Sequence, residues 1–159
     1  MEKRYYALNQ HLREVFGTKV IKVALDAGLS WPNRDGTISY GGCIFCSEKG
    51  SGDFAGERAL TIREQFAQVR LRTIPKWPRA KYIAYFQSFT ATYGPVDYLK
   101  NLYEEALKVE DVVGLSVSTR PDCLNEEILA VLAALNQKTY LWVELGLQSI
   151  HAKSLEWMN

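Results

Sequence analysis

Four short apolar runs, each followed by a stretch of helical periodicity, set the tightest limit on how this 159-residue chain can fold. The runs are KVIKVALDAG (19–28), KYIAYFQSFT (81–90), DVVGLSVSTR (111–120) and TYLWVELGLQ (139–148). Their length and their β-branched and aromatic residues suit buried strands. Behind the first, Thr61 and Glu64 form a capping box for a helix with Ile62, Phe66, Val69 and Ile74 on one face, which must end before the prolines of IPKWPRAK. Behind the second, Pro95 suits a first helical position, and Leu99, Leu102, Tyr103 and Ala106 follow as a stripe. Behind the third, Asn125 starts a helix whose stripe is Ile128, Leu132 and Leu135, and HAKSLEWMN begins a helix after the fourth. Residues 5–16 add an N-terminal helix through Leu8, Leu12, Val15 and Phe16, stopped by Gly17. The order βαβαβαβα predicts an α/β fold with parallel strands near 20–26, 81–88, 112–119 and 140–147, in sequential order and joined by right-handed crossovers.

Each run turns polar at its C-terminal end, at Asp26, at Gln87 and Ser88, at Ser118, Thr119 and Arg120, and at Gln148 and Ser149. In parallel α/β folds ligands bind at that edge, so four polar ends in succession point to a site. On the fourth run, period two puts Glu144, Gly146 and Gln148 on one face as a polar interior stripe. The net charge of +1 gives no overall basic field to attract nucleic acid. The polar start MEKRYYALNQ and the lack of any membrane-length apolar run lead us to expect a cytoplasmic protein without a membrane partner.

The loop after the first run carries Cys43 and Cys46 as C-x2-C. Two thiolates at this spacing can chelate one metal from a tight turn, and thiolates select zinc or iron–sulfur clusters over hard cations. With the third cysteine, Cys123, far along the chain, the pair reads as a metal or redox site, or as small residues of a structural turn.

LDAGLSWPNRDGTISYGGCIFCSEKGSGDFAG, with YFQSFTATYGPV, STRPDCL and ELGLQSIHAKSLEWMN, resembles the radical SAM superfamily, and within it the YhcC-like family allied to the Elongator-catalytic-subunit branch. The resemblance covers essentially the whole chain. It implies a partial (βα)6 TIM-like barrel, of which residues 1–18 would be an N-terminal helix and 19–159 roughly the first four βα units. It also implies a [4Fe–4S] cluster held by three cysteines, with S-adenosylmethionine bound to the open iron and cleaved on reduction to a 5′-deoxyadenosyl radical acting on an unknown substrate. Residue by residue, Cys43 and Cys46 match the last two cluster ligands, and Phe45 stands where an aromatic packs near the cluster or adenine. Gln87 and Ser88 fall where the methionine end of the cofactor is met. Thr119, Arg120, Glu144 and Gln148 fall where ribose or carboxylate contacts lie, although Arg120 and Glu144 could equally pair with each other inside the barrel.

One position departs from the pattern: Trp31 stands where the first cluster cysteine is expected, and indole does not ligate iron. Cys123 lies in a family-like TRPDCL segment and reads as structural. Three functional readings follow: a radical SAM enzyme using a reductant, a catalytically silent homologue or fragment with an incomplete cluster, and a small zinc module using Cys43, Cys46 and perhaps Cys123. The segment RLRTIPKWPRAK (70–81) could touch RNA or form a solvated helix end, and His151 reads as a surface residue.

Overall fold

Residues 4–158 are described by a computed structural model, in which all four apolar runs are strands. In chain order the elements are α1 (Leu8–Phe16), β1 (Val20–Leu25), α2 (Ile62–Thr73), β2 (Lys81–Phe86), α3 (Val96–Leu107), β3 (Val112–Thr119), α4 (Glu126–Asn136), β4 (Tyr140–Leu145) and α5 (Ala152–Met158). The strands pair in parallel in the order β1-β2-β3-β4, as the alternation predicts. A doubly wound sheet would have reordered them.

Strand periodicity divides the sheet into two faces. Val23, Leu25, Tyr82, Ala84, Phe86, Leu115 and Val117 pack under α2, α3 and α4, meeting Ile62, Phe66, Leu99, Tyr103, Ile128, Leu132 and Leu135. The stripes of α3 and α4 are buried throughout. The Thr61–Glu64 capping box forms in both directions, and Asn125 accepts from the Ile128 amide. Buried Gln65 accepts from the Asp26 amide and donates to the Asp26 carbonyl, tying α2 to the end of β1. Such backbone-mimicking pairs let an amide be buried without an orphaned donor.

The opposite face is curled. By register, Lys22 on β1 is level with Ile83, Gly114 and Tyr140, whereas its carboxylate partner Glu144 lies four residues further along β4. In a flat sheet those two residues would stand about 14 Å apart across the strands and about 13 Å along them. Their ion pair therefore requires the sheet to bend around this face, giving a concave four-stranded parallel arc backed by helices. Gly114 is needed at the base of the arc, where an added Cβ would come within 2.8 Å of the Tyr140 carbonyl.

Some end-of-element details differ from expectation. The first helix begins at Leu8, not residue 5, and only Leu12 of its stripe is buried, against Val20 and Ile83. This helix closes the narrow N-terminal end of the arc rather than lying along a broad face, so Leu8 and Val15 remain in solvent. Pro95 is the N-cap of α3, one position before the helix, and Ile74 follows α2 and is exposed. The strand part of β4 ends at Leu145, so Gly146 and Gln148 lie in the following loop rather than extending its stripe.

The capping box sets the entry of α2 and hence the hold of Gln65 on β1. Thr61→Ala is expected to lower stability by about 1 kcal/mol in chemical denaturation, and Thr61→Ser to recover most of it.

Candidate cofactor and metal site

The C-terminal ends of the strands and the cysteine loop enclose a cavity of about 370 Å³. Cys43, Phe45, Cys46, Gln87, Thr119, Arg120, Glu144 and Gln148 all line it, joined by Trp31, Tyr85, Phe89 and Ser118. Residues from the ends of β2, β3 and β4 and from the cysteine loop that follows β1 thus converge, as polar strand ends in a parallel sheet allow. Ser88 does not line the cavity. It alternates with Gln87 to the other side, is buried, and meets the loop at Gly52.

The loop is held by two packed aromatic rings, tilted 53° to each other. Trp31 is buried, and its ring lies 5.0 Å from that of Phe89. An added Cβ on Gly42 would come within 2.8 Å of the indole, and one on Gly50 within 2.6 Å of the Phe89 ring. Both glycines also have positive φ, so the rings sit directly on backbone that no other residue would supply. Arg34 and Arg58 flank Phe89 at 5.4 and 4.7 Å from its centroid, a cation–π arrangement on the outer side. Phe89 and Gln148 themselves adopt φ of 63° and 61°, sparsely populated for residues with a Cβ, and both border the cavity.

The floor of the cavity is a charge network. The Glu144 carboxylate receives hydrogen bonds from Lys22, from Tyr85 Oη at 2.7 Å, and from Ser116 and Ser118 at 3.1 Å. Lys22 Nζ also lies 4.0 Å from the Tyr85 ring centroid. Burial pushes the Glu144 carboxyl up, but the hydrogen bonds from Lys22 and Tyr85 outweigh it and hold it below its ordinary value. Burial, with the carboxylate alongside, pushes the Tyr85 phenol up to about 12, so it remains a donor. Arg120 pairs with Asp122, Nη2 to Oδ2 at 2.7 Å. The suggested Arg120–Glu144 pair therefore does not form: each has a nearer partner. Thr119 Oγ1 is shared with Thr92. The Gln87 and Gln148 amides carry no side-chain hydrogen bond among the described residues. Lys22, Tyr85 and Phe89 escaped the sequence reading, although a lysine in the middle of KVIKVALD was a signal for an inward-facing charge.

At the thiols, Asn33 Nδ2 donates to Cys43 Sγ at 3.2 Å, and Ser51 Oγ lies 3.5 Å from Cys46 Sγ. Burial raises the Cys46 thiol above its ordinary value, with a contribution from Cys43 beside it. Cys123 lies in a 3-10 turn, Pro121–Cys123, with its sulfur directed at Asp122, and borders a different cavity with Pro32, Ile38 and Thr92. Among the described residues no three His, Cys, Asp or Glu side chains gather as a metal site. A three-thiolate [4Fe–4S] cluster does not fit these residues, because among the described residues only Cys43 and Cys46 bring thiols to the cavity, where Trp31 forms part of the wall. The zinc reading loses Cys123, which borders a different cavity from Cys43 and Cys46. His151 is exposed at the start of α5, and Arg70 of the basic segment is paired with Glu110 and Asp111. No helix among the described residues is long and apolar enough to cross a membrane.

The chain is 55% identical over 158 residues to the uncharacterized protein YtqA of Bacillus subtilis, covering 99% of this chain and 49% of that protein. It is 42% identical over 146 residues to protein YhcC of Escherichia coli K12, covering 91% and 46%. It is 35% identical over 153 residues to the uncharacterized protein MJ0486 of Methanocaldococcus jannaschii, covering 94% and 46%. Its homologues are thus YtqA- and YhcC-like proteins, which supports a YhcC-like family, and the chain spans about half the length of these relatives. No protein-family model and no solved structure matches it.

Because the Glu144 carboxyl is held low, its contribution to stability is full above the ordinary carboxylate value, about 4.3, and is lost as pH falls through its lower folded value. Glu144→Gln should therefore cost about 1–3 kcal/mol at neutral pH and flatten the acid limb of a stability-versus-pH curve. An unchanged acid limb would show that the network does not couple to folding.

Proposed function

We propose that this chain is a radical SAM-type protein that binds S-adenosylmethionine in the cavity at the C-terminal end of its sheet, with a cluster loop that Trp31 leaves one thiolate short. The observation that carries the reading is the convergence of eight residues, matched one by one to the family's motifs, on a single cavity. The chemistry of the lining suits the ligand. Gln87 and Gln148 offer unengaged amides to ribose hydroxyls or the amino-acid end, and Arg120 offers a cation on the rim. Phe45, half exposed, offers a ring for adenine. Glu144 is committed to Lys22 and the hydroxyls, so its part is to hold the floor of the cavity rather than to contact ribose.

In the superfamily the cluster supplies the electron that cleaves the bound cofactor. With two protein thiolates, no such step is assigned to this chain as it stands. What the residues present do is bind and orient: the curled sheet presents the amides, and the Trp31–Phe89 ring pair fixes the loop that closes one wall.

Calorimetry of the metal-free chain with S-adenosylmethionine is expected to show weak binding, with Kd on the order of 1 mM. Gln148→Ala and Gln87→Ala should each weaken it further. Binding untouched by both substitutions would place the ligand elsewhere, and tight binding would show that iron is not the missing anchor.

Trp31→Cys, reconstituted anaerobically with iron and sulfide, should approach the four irons per chain of a [4Fe–4S] cluster, whereas Trp31→Ala should not. Cys123→Ala should change neither result. A well-folded Trp31→Cys protein that holds no more iron than the original would end the cluster-loop reading.

A further inference from the structure

We propose that Cys43 and Cys46, as they stand beside Trp31, form a two-thiolate site for a monovalent soft cation, Cu(I). The donor count carries the choice of metal. A structural zinc ion asks for four protein ligands, and an iron–sulfur cluster asks for at least a third thiolate here, but the described residues bring no third His, Cys, Asp or Glu to the pair. Cu(I) is a d¹⁰ ion that favours sulfur and is satisfied by two thiolates in a near-linear arrangement.

The surroundings fit that ion. Cys43 and Cys46 are half-buried, interact with each other and line the cavity, so a metal has a path to both sulfurs. Asn33 Nδ2 at 3.2 Å from Cys43 Sγ and Ser51 Oγ at 3.5 Å from Cys46 Sγ supply outer hydrogen bonds that orient thiolate ligands. A bis-thiolate Cu(I) centre carries one negative charge, and the Arg120 guanidinium, paired with Asp122, lines the same cavity as Cys43. The buried indole of Trp31 completes the enclosure. Its ring rests on Gly42, the residue before Cys43, and its Nε1–H finds no acceptor among the described residues while bordering the same cavity. That donor is available to a thiolate sulfur within the same cavity.

The inference goes beyond S-adenosylmethionine binding and does not depend on it: the pair would hold copper whether or not the cavity takes the cofactor. The test is an anaerobic titration of the reduced chain with Cu(I) in competition with bathocuproine disulfonate. We expect one Cu(I) per chain, with quenching of tryptophan fluorescence that disappears in Trp31→Phe. The Cys43→Ser and Cys46→Ser variants should each lose at least about 100-fold in affinity, by analogy with the largest losses seen on disturbing a metal's outer shell. Cys123→Ser should bind as the original does. Bound Cu(I) should also protect Cys43 and Cys46, but not Cys123, from iodoacetamide in the unsubstituted chain, a readout that holds even if a serine variant folds poorly. Copper left entirely with the competitor, copper retained by the double serine variant, protection of Cys123, or displacement of Cu(I) by equimolar zinc would each overturn the proposal.

Discussion

The ion pair between Lys22 and Glu144 is the contact on which the shape of this molecule turns. It joins the two outer strands of a four-stranded sheet across a distance that only curvature can close. Curvature in turn gathers the ends of β2, β3 and β4 around a cavity with the cysteine loop instead of leaving them along an open rim. The pair is half-buried, and its value lies less in net stability than in fixing one arrangement, since leaving either charge alone there would be costly. Tyr85, Ser116 and Ser118 satisfy the remaining carboxylate lone pairs, which lets a charged group sit on the inner face of an otherwise apolar sheet.

The second constraint is the ring pair on the loop. Trp31 occupies the corner where the resemblance places a cluster thiolate, and it packs on Gly42 and beside Phe89, whose ring in turn rests on Gly50. The loop therefore does not collapse for lack of a metal ligand, and it presents Cys43 and Cys46 to the cavity on a scaffold of aromatic contacts. Removing so large a buried ring would leave a void costing about 3–5 kcal/mol unless the loop relaxed into it.

Exposure along β4 and α5 is the counterpart of the curled sheet. Val143, Leu145, Leu147, Leu155 and Trp157 are exposed. An edge strand with apolar exposure is a pairing hazard, and the relatives this chain matches are about twice its length.

The sequence by itself determined the strand and helix order, the parallel pairing, the caps at Thr61 and Asn125, the buried stripes of α3 and α4, and the end of the sheet at which chemistry collects. Periodicity and capping are local, so they are written in consecutive residues. It also marked Cys43, Cys46, Gln87, Thr119, Arg120, Glu144 and Gln148, through motifs and polar strand ends. What only the tertiary structure decided were the pairings: Glu144 with Lys22 rather than Arg120, Arg120 with Asp122, Ser88 turned toward the loop, and Cys123 kept apart from the other two thiols. The first of these depends on strand register and sheet curvature, which bring together residues 122 positions apart. No window of sequence holds that distance, because it is set by how far the sheet bends and which charge arrives first.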